Sequence, residues 1–186
     1  NLAFLRVCVD KYYSVAKAAL QRVDPNHLFF GDKINANGDS LDSVVEVTSR
    51  YTDAVSFQYY ARWDDQRALL DRIATKANQP LLNGDFSYAV PTEMAPAPHG
   101  TQVNGMVAKD QVERAQWTRE FMESATARPD FVGWHMCGVI ETWKTMKGKE
   151  EAQHTGIMTP TGEFFSEMEA AIQEISVRLY EIAQEA

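Results

Sequence analysis

Two carboxylates, a group of aromatic rings and several amide or imidazole side chains stand where apolar segments give way to polar ones. Asp85 lies in Leu82-Asn83-Gly84-Asp85-Phe86, and Glu141 follows the apolar run that begins at Phe131. Asp32, Gln58, Tyr59, Tyr60, Trp134 and His135 sit in or just after similar runs. Carboxylates serve as nucleophile, general acid or general base, rings stack on the apolar faces of sugars, and amides and imidazoles bind hydroxyls. These residue types together fit chemistry at a glycosidic bond. Asp85 and Glu141 are therefore the candidate catalytic residues, and Asp32, Gln58, Tyr59, Tyr60, Trp134 and His135 the candidates for holding substrate. Each has a plainer reading beside it: Asp85 could cap a turn or pair with an arginine, His135 could be a hydrogen-bonded core histidine, and Glu141 could be a solvated loop residue.

Other chemistries lack their residues. His27, His99, His135 and His154 are scattered, without HExxH or paired-cysteine spacing, so no metal site is expected. Walker-type, GxGxxG and GxSxG sequences are missing, which removes nucleotide cofactors and the nucleophile-elbow hydrolases, and no cofactor is expected. The net charge of −8 and pI near 5.0 repel phosphate backbones and anionic lipid surfaces, so neither nucleic acid nor membrane is an expected partner. No apolar run approaches the roughly 20 residues of a membrane span. Two cysteines, Cys8 and Cys137, exclude a disulfide framework. The chain opens at Asn1 with no charged segment followed by an apolar one, which points to removal of a leader or to a segment of a longer protein.

The elements that must position these residues follow from periodicity. Residues 2–23 carry Leu2, Leu5, Val9, Tyr12, Tyr13, Ala16 and Leu20 at helical spacing, stopped by Asp24-Pro25. A strand is predicted over 27–34 and a helix over 41–51, then a strand over 54–60 and a helix over 64–78. A strand over 80–87 follows, with Pro80 tolerated as its first residue. A long loop over 88–108 contains three prolines and two glycines, and loops of such length are usually functional. A helix over 111–127, a strand over 131–138, a polar insertion over 142–153 and a helix over 162–184 complete the chain. The alternation predicts an α/β fold with parallel strands and right-handed crossovers, in a single domain spanning 1–186. Two architectures fit: four units of a (β/α)8 TIM barrel, or a small open doubly wound parallel sheet. A full barrel takes about 250 residues, so this chain supplies about half of one. The opening helix with no strand before it favours the half-barrel. In both architectures the site lies at the carboxyl ends of the strands.

Six segments, taken together and in order, resemble the second half of the clan A glycoside hydrolase barrels, nearest to the β-agarases and their β-galactosidase-like relatives. They are Arg22-Val23-Asp24-Pro25-Asn26-His27-Leu28-Phe29-Phe30-Gly31-Asp32, Thr52-Asp53-Ala54-Val55-Ser56-Phe57-Gln58-Tyr59-Tyr60, Gln79-Pro80-Leu81-Leu82-Asn83-Gly84-Asp85-Phe86, Val112-Glu113-Arg114-Ala115, Pro129-Asp130-Phe131-Val132-Gly133-Trp134-His135, and Gln153-His154-Thr155-Gly156-Ile157 running on to Thr161-Gly162-Glu163-Phe164-Phe165. The resemblance implies that the strands are the fifth to eighth of a barrel (strands 5 to 8), its C-terminal half, and that the enzyme degrades a polysaccharide or oligosaccharide. It implies a nucleophile at the end of the seventh strand, where Asp85 aligns in place of the usual glutamate. The acid/base glutamate belongs after the fourth strand, ahead of Asn1, so the chain carries the nucleophile side alone. Trp134 matches the tryptophan of the eighth strand, whereas Met136-Cys137-Gly138-Val139-Ile140-Glu141 departs from the agarase pattern. A carbohydrate substrate, a missing barrel half or a homo-oligomer as partner, and secretion or a periplasmic location are the further implications. The alternative from another class is a non-catalytic carbohydrate-binding or interaction module derived from such a barrel. A flavodoxin-like binding domain without glycosidase ancestry is a third reading.

Overall fold

The computed structural model describes residues 1–90, 106–141 and 155–185. Most of the expected loop over 88–108, with His99, and the insertion over 142–153, with the neighbouring His154, lie outside the described residues. The elements run α1 (Leu2–Val23), β1 (Ile34–Asn35), α2 (Leu41–Thr48), β2 (Val55–Gln58), α3 (Trp63–Ala74), β3 (Leu81–Phe86), α4 (Gln111–Thr126), β4 (Phe131–Met136), α5 (Ser166–Ser176) and α6 (Leu179–Glu185). The fold is α/β. Its sheet has four strands in the order β1-β2-β3-β4, and each neighbouring pair is parallel.

Spatial order equal to chain order, with right-handed crossovers, puts every connecting helix on the same face of the sheet. Strand alternation then sorts the side chains. Val55, Phe57, Leu81, Phe86 and Phe131 turn toward the helices and pack with Leu41, Val45, Leu69, Leu70, Ile73, Phe121 and Met122 as the main core. Phe86 stacks on Phe121 with ring centroids 3.9 Å apart, and Phe121 meets Trp63, Phe131 and Trp134 edge-on. Helix starts follow their local chemistry: the Asp110 carboxylate accepts the Glu113 N–H at 2.8 Å, capping α4.

Two expected elements are changed. The strand predicted over 27–34 shrinks to Ile34–Asn35, and Leu28 is 69% exposed. Gly31 takes φ +69°, which breaks the extended run, and a Cβ there would meet Tyr13 Cε1 at 2.7 Å. The segment instead runs beside β2 through single contacts, with Phe29 O accepting the Asp53 N–H. The helix expected over 162–184 divides into α5 and α6 around Val177 and Arg178.

Candidate active site

The site grows from an irregularity in β3. Pairing with β2 runs Phe57 with Asn83 and then Gln58 with Asp85, so β3 holds one extra residue at Gly84. Pairing with β4 shifts in the same stretch, from Asn83 with Trp134 to Phe86 with Met136. Such a bulge re-aims side chains. Asn83 and Phe86 both turn to the helices, while Gly84 and Asp85 both turn to the opposite face.

Polar side chains on the helix side secure this geometry. Asn83 is fully buried; its Nδ2 donates to the Tyr59 carbonyl at 3.1 Å and to Gln66 Oε1 at 3.2 Å. Gln66 Nε2 donates to the same Tyr59 carbonyl at 2.8 Å. Asn83 Oδ1 accepts the Asp85 N–H at 3.2 Å, fixing the backbone from which the carboxylate projects.

Asp85 faces three side chains from three other segments. Lys33 Nζ, just before β1, lies 3.2 Å from Asp85 Oδ2, and the two side chains are 48% and 13% exposed respectively. Tyr60, past the end of β2, and Cys137, past the end of β4, both serve the carboxylate as hydrogen-bond donors. Burial works to raise the pKa of Asp85, but the donors Tyr60 and Cys137 and the Lys33 ammonium outweigh it and hold the carboxyl below its ordinary value. The Tyr60 hydroxyl is pushed well above the usual phenol range, first by burial and then by Cys137 and Asp85, so it remains a donor at neutral pH. Burial likewise pushes the Cys137 thiol up. The result is a persistently ionised carboxylate with two neutral donors and one cation.

Cys137 is held from behind. Its N–H donates to the Phe86 carbonyl at 2.9 Å, and its own carbonyl accepts the Thr155 hydroxyl at 3.0 Å. The Thr155 and Gly156 carbonyls accept from the buried Arg114 guanidinium at 2.6 and 2.8 Å. Glu141 is 5% exposed, and its charge counters the effect of burial, which lowers the pKa of Arg114 to about 10.

The other expected site residues divide between the two faces. Gln58 stands in register with Asp85, and Tyr60 meets it. Tyr59 and Trp134 pack partly buried against the helix-side core, where Trp134 stacks on Phe131 at 6.4 Å between ring centroids. His135, next to Trp134, is exposed. Asp32 is drawn to α1, its Oδ2 accepting the Tyr13 hydroxyl at 3.1 Å. Lys33 and Cys137, absent from the expected set, complete the surroundings of Asp85. A cavity of about 360 Å³ opens elsewhere, between β4 and α6, lined mainly by Phe131, Trp134, Leu179 and Tyr180; Asp85, Tyr60 and Lys33 take no part in it. Among the described residues, no cluster of His, Cys, Asp and Glu could hold a metal ion. Among them, too, no helix is long and apolar enough to cross a membrane.

An ionised carboxylate at the carboxyl end of a parallel strand, met by a tyrosine donor, is a group competent for nucleophilic or electrostatic work on a sugar. The similarities of the chain fall in that class. No family model matches it. Beta-agarase A of Vibrio sp. (strain JT0107) is 26% identical over 179 residues, covering 91% of this chain and 17% of that protein. Beta-agarase B of the same strain is 27% identical over 138 residues, covering 74% of this chain and 14% of that protein. The chain thus spans less than a fifth of the length of either relative. Among solved structures, PfGH50B superposes with TM-score 0.78 at 25% identity over 97% of this chain and 24% of its own. An exo-beta-agarase superposes with TM-score 0.81 at 23% identity over 98% of this chain and 24% of its own. These likenesses support a relationship with the glycoside hydrolases, and with β-agarases in particular.

Proposed function

We propose that these 186 residues form the C-terminal half of a (β/α)8 glycoside hydrolase barrel, its strands 5 to 8, and carry the nucleophile side of an agarase-like site. The sheet supports this through its order: among the described residues it has no reversal of the kind at which a doubly wound sheet binds its ligand. The observation that carries the functional reading is Asp85, an ionised carboxylate lifted by a bulge beyond β3 in a chain aligned with β-agarases over most of its length. In this reading Asp85 attacks the anomeric carbon, Tyr60 steadies the carboxylate, and Gln58 and His135 bind hydroxyls. Glu141, buried and coupled to Arg114, is not the acid/base donor in this reading, and Tyr59 and Trp134, packed on the helix face, and Asp32, bound to Tyr13 of α1, stand outside the sugar-binding face. The acid/base donor comes from barrel residues ahead of Asn1. Secretion or periplasmic residence belongs to the same proposal.

The chain alone then fails to hydrolyse agarose oligosaccharides, because one carboxylate cannot run a two-carboxylate mechanism. Completed by the other barrel half, it turns them over, and Asp85→Asn lowers kcat on the order of 10⁴-fold. Turnover by the isolated chain, or undiminished turnover by the completed Asp85→Asn variant, overturns the reading. One observation favours a second reading, a module that binds carbohydrate without cleaving it: the Asp85 charge is already matched by Lys33. Saturable binding of agaro-oligosaccharides by a completed barrel that never cleaves them selects that alternative.

A further inference from the structure

Lys33 immediately precedes β1, which is not a neighbour of the strand β3 that carries Asp85, and the side chain joining them needs a passage. Its stem crosses the face of β2 beside Ser56 and lies over Gly84. A Cβ on Gly84 would stand 2.9 Å from Lys33 Cδ, 3.0 Å from Lys33 Cγ and 3.2 Å from Ser56 Oγ. The bulge that turns Asp85 to this face therefore also turns there the one residue type that leaves room for the lysine. From this we infer that Lys33 is a positioning residue for the Asp85 carboxylate, seated in a slot made by the missing side chain of Gly84. The inference rests on the reading of Asp85 as the functional carboxylate and adds the residue that governs its charge.

Three side chains meet Asp85: Lys33 from the segment before β1, Tyr60 past β2 and Cys137 past β4. Tyr60 and Cys137 are neutral donors, so they orient the carboxylate without supplying charge. Lys33 alone among them is a cation, and its Nζ is 3.2 Å from Oδ2. Asp85 is mostly covered, which weakens solvent screening of that charge. The lysine head is half exposed, so it reaches the carboxylate from the solvent side.

The test is a titration of the full chain, labelled with ¹³C at aspartate carboxyls, with the Asp85 resonance assigned by its loss in Asp85→Asn. No substrate is present, so the result stands apart from any hydrolase activity. Lys33→Met moves the Asp85 inflection to higher pH, and Lys33→Arg returns it toward the wild-type position. Gly84→Ala, by blocking the slot, moves the inflection in the same direction, and the Lys33→Met/Gly84→Ala pair moves it no further than Lys33→Met alone. Amide spectra establish that each variant is folded, with Lys33→Gln replacing Lys33→Met if that variant fails. An unchanged inflection in folded Lys33→Met overturns the inference. Additive shifts in the double variant overturn the slot.

Discussion

The two faces of the sheet use similar residue types to opposite ends. On the helix face, Asn83 and Gln66 bind each other and the Tyr59 carbonyl, surrounded by Phe57, Phe86 and Phe121. Every polar group in that trio is directed at a protein group. On the other face, Asp85 gathers a lysine, a tyrosine and a cysteine, with the lysine half in solvent. The bulge in β3 lets adjacent residues serve both purposes: Asn83 locks the backbone from within, and Asp85 presents charge without. An aromatic or amide at a strand end is therefore no sign of a sugar site until its face is known.

That contrast can be broken by mutation. The largest effect is expected on the helix face. Phe121→Ala removes a fully buried ring that stacks on Phe86, and a loss of about 3–5 kcal/mol in urea unfolding is predicted. Arg114→Met removes a buried cation, leaving the Thr155 and Gly156 carbonyls without their donor and Glu141 without that positive charge. A loss of about 3 kcal/mol follows, and Cys137 near Asp85 becomes more mobile, read as faster amide exchange.

Asp85→Asn acts differently. Its folded pKa lies below the unfolded value of roughly 3.9, so its ionisation stabilises the fold above that pH, and the contribution disappears as pH falls through the folded value. Wild-type protein therefore loses stability on acidification below about pH 4 more steeply than Asp85→Asn, while the two differ little in slope at neutral pH. Equal acid slopes for the two proteins contradict the depressed carboxyl. The smallest effect belongs to the exposed ion pair of Arg119 with Glu174, 2.9 Å apart between α4 and α5. Arg119→Ala is predicted to cost less than about 1 kcal/mol in the same denaturation assay.

Much of this architecture could be read from residue patterns. The strand–helix alternation gave the parallel sheet, and the apolar run ending at Gly84-Asp85 marked the carboxylate. Alternation alone separates Tyr59 from Tyr60 and Trp134 from His135, whereas residue type alone puts all four in one set. Their faces depended on where Val55 and Phe131 pointed, which is a tertiary fact. Lys33 left no local signal: it is two strands from Asp85, and its slot is visible only as a glycine at a bulge that pattern reading cannot locate. The failure of the strand predicted over 27–34 has a nearer cause. Leu28-Phe29-Phe30 has the composition of a strand, but Gly31 in the left-handed region and the edge position of β1 leave it unladdered.

The central claim is that carbohydrate meets the face of the sheet away from the helices, at Asp85. Amide and side-chain NMR shifts of the full chain, followed while agaro-oligosaccharide is added, test it directly. The largest shifts are predicted at Asp85, Tyr60, Gln58 and Lys33, with Trp63, Phe121 and the α4 core unmoved. Shifts centred on Trp134, Leu179 and Tyr180 between β4 and α6, or none at saturating sugar, contradict it.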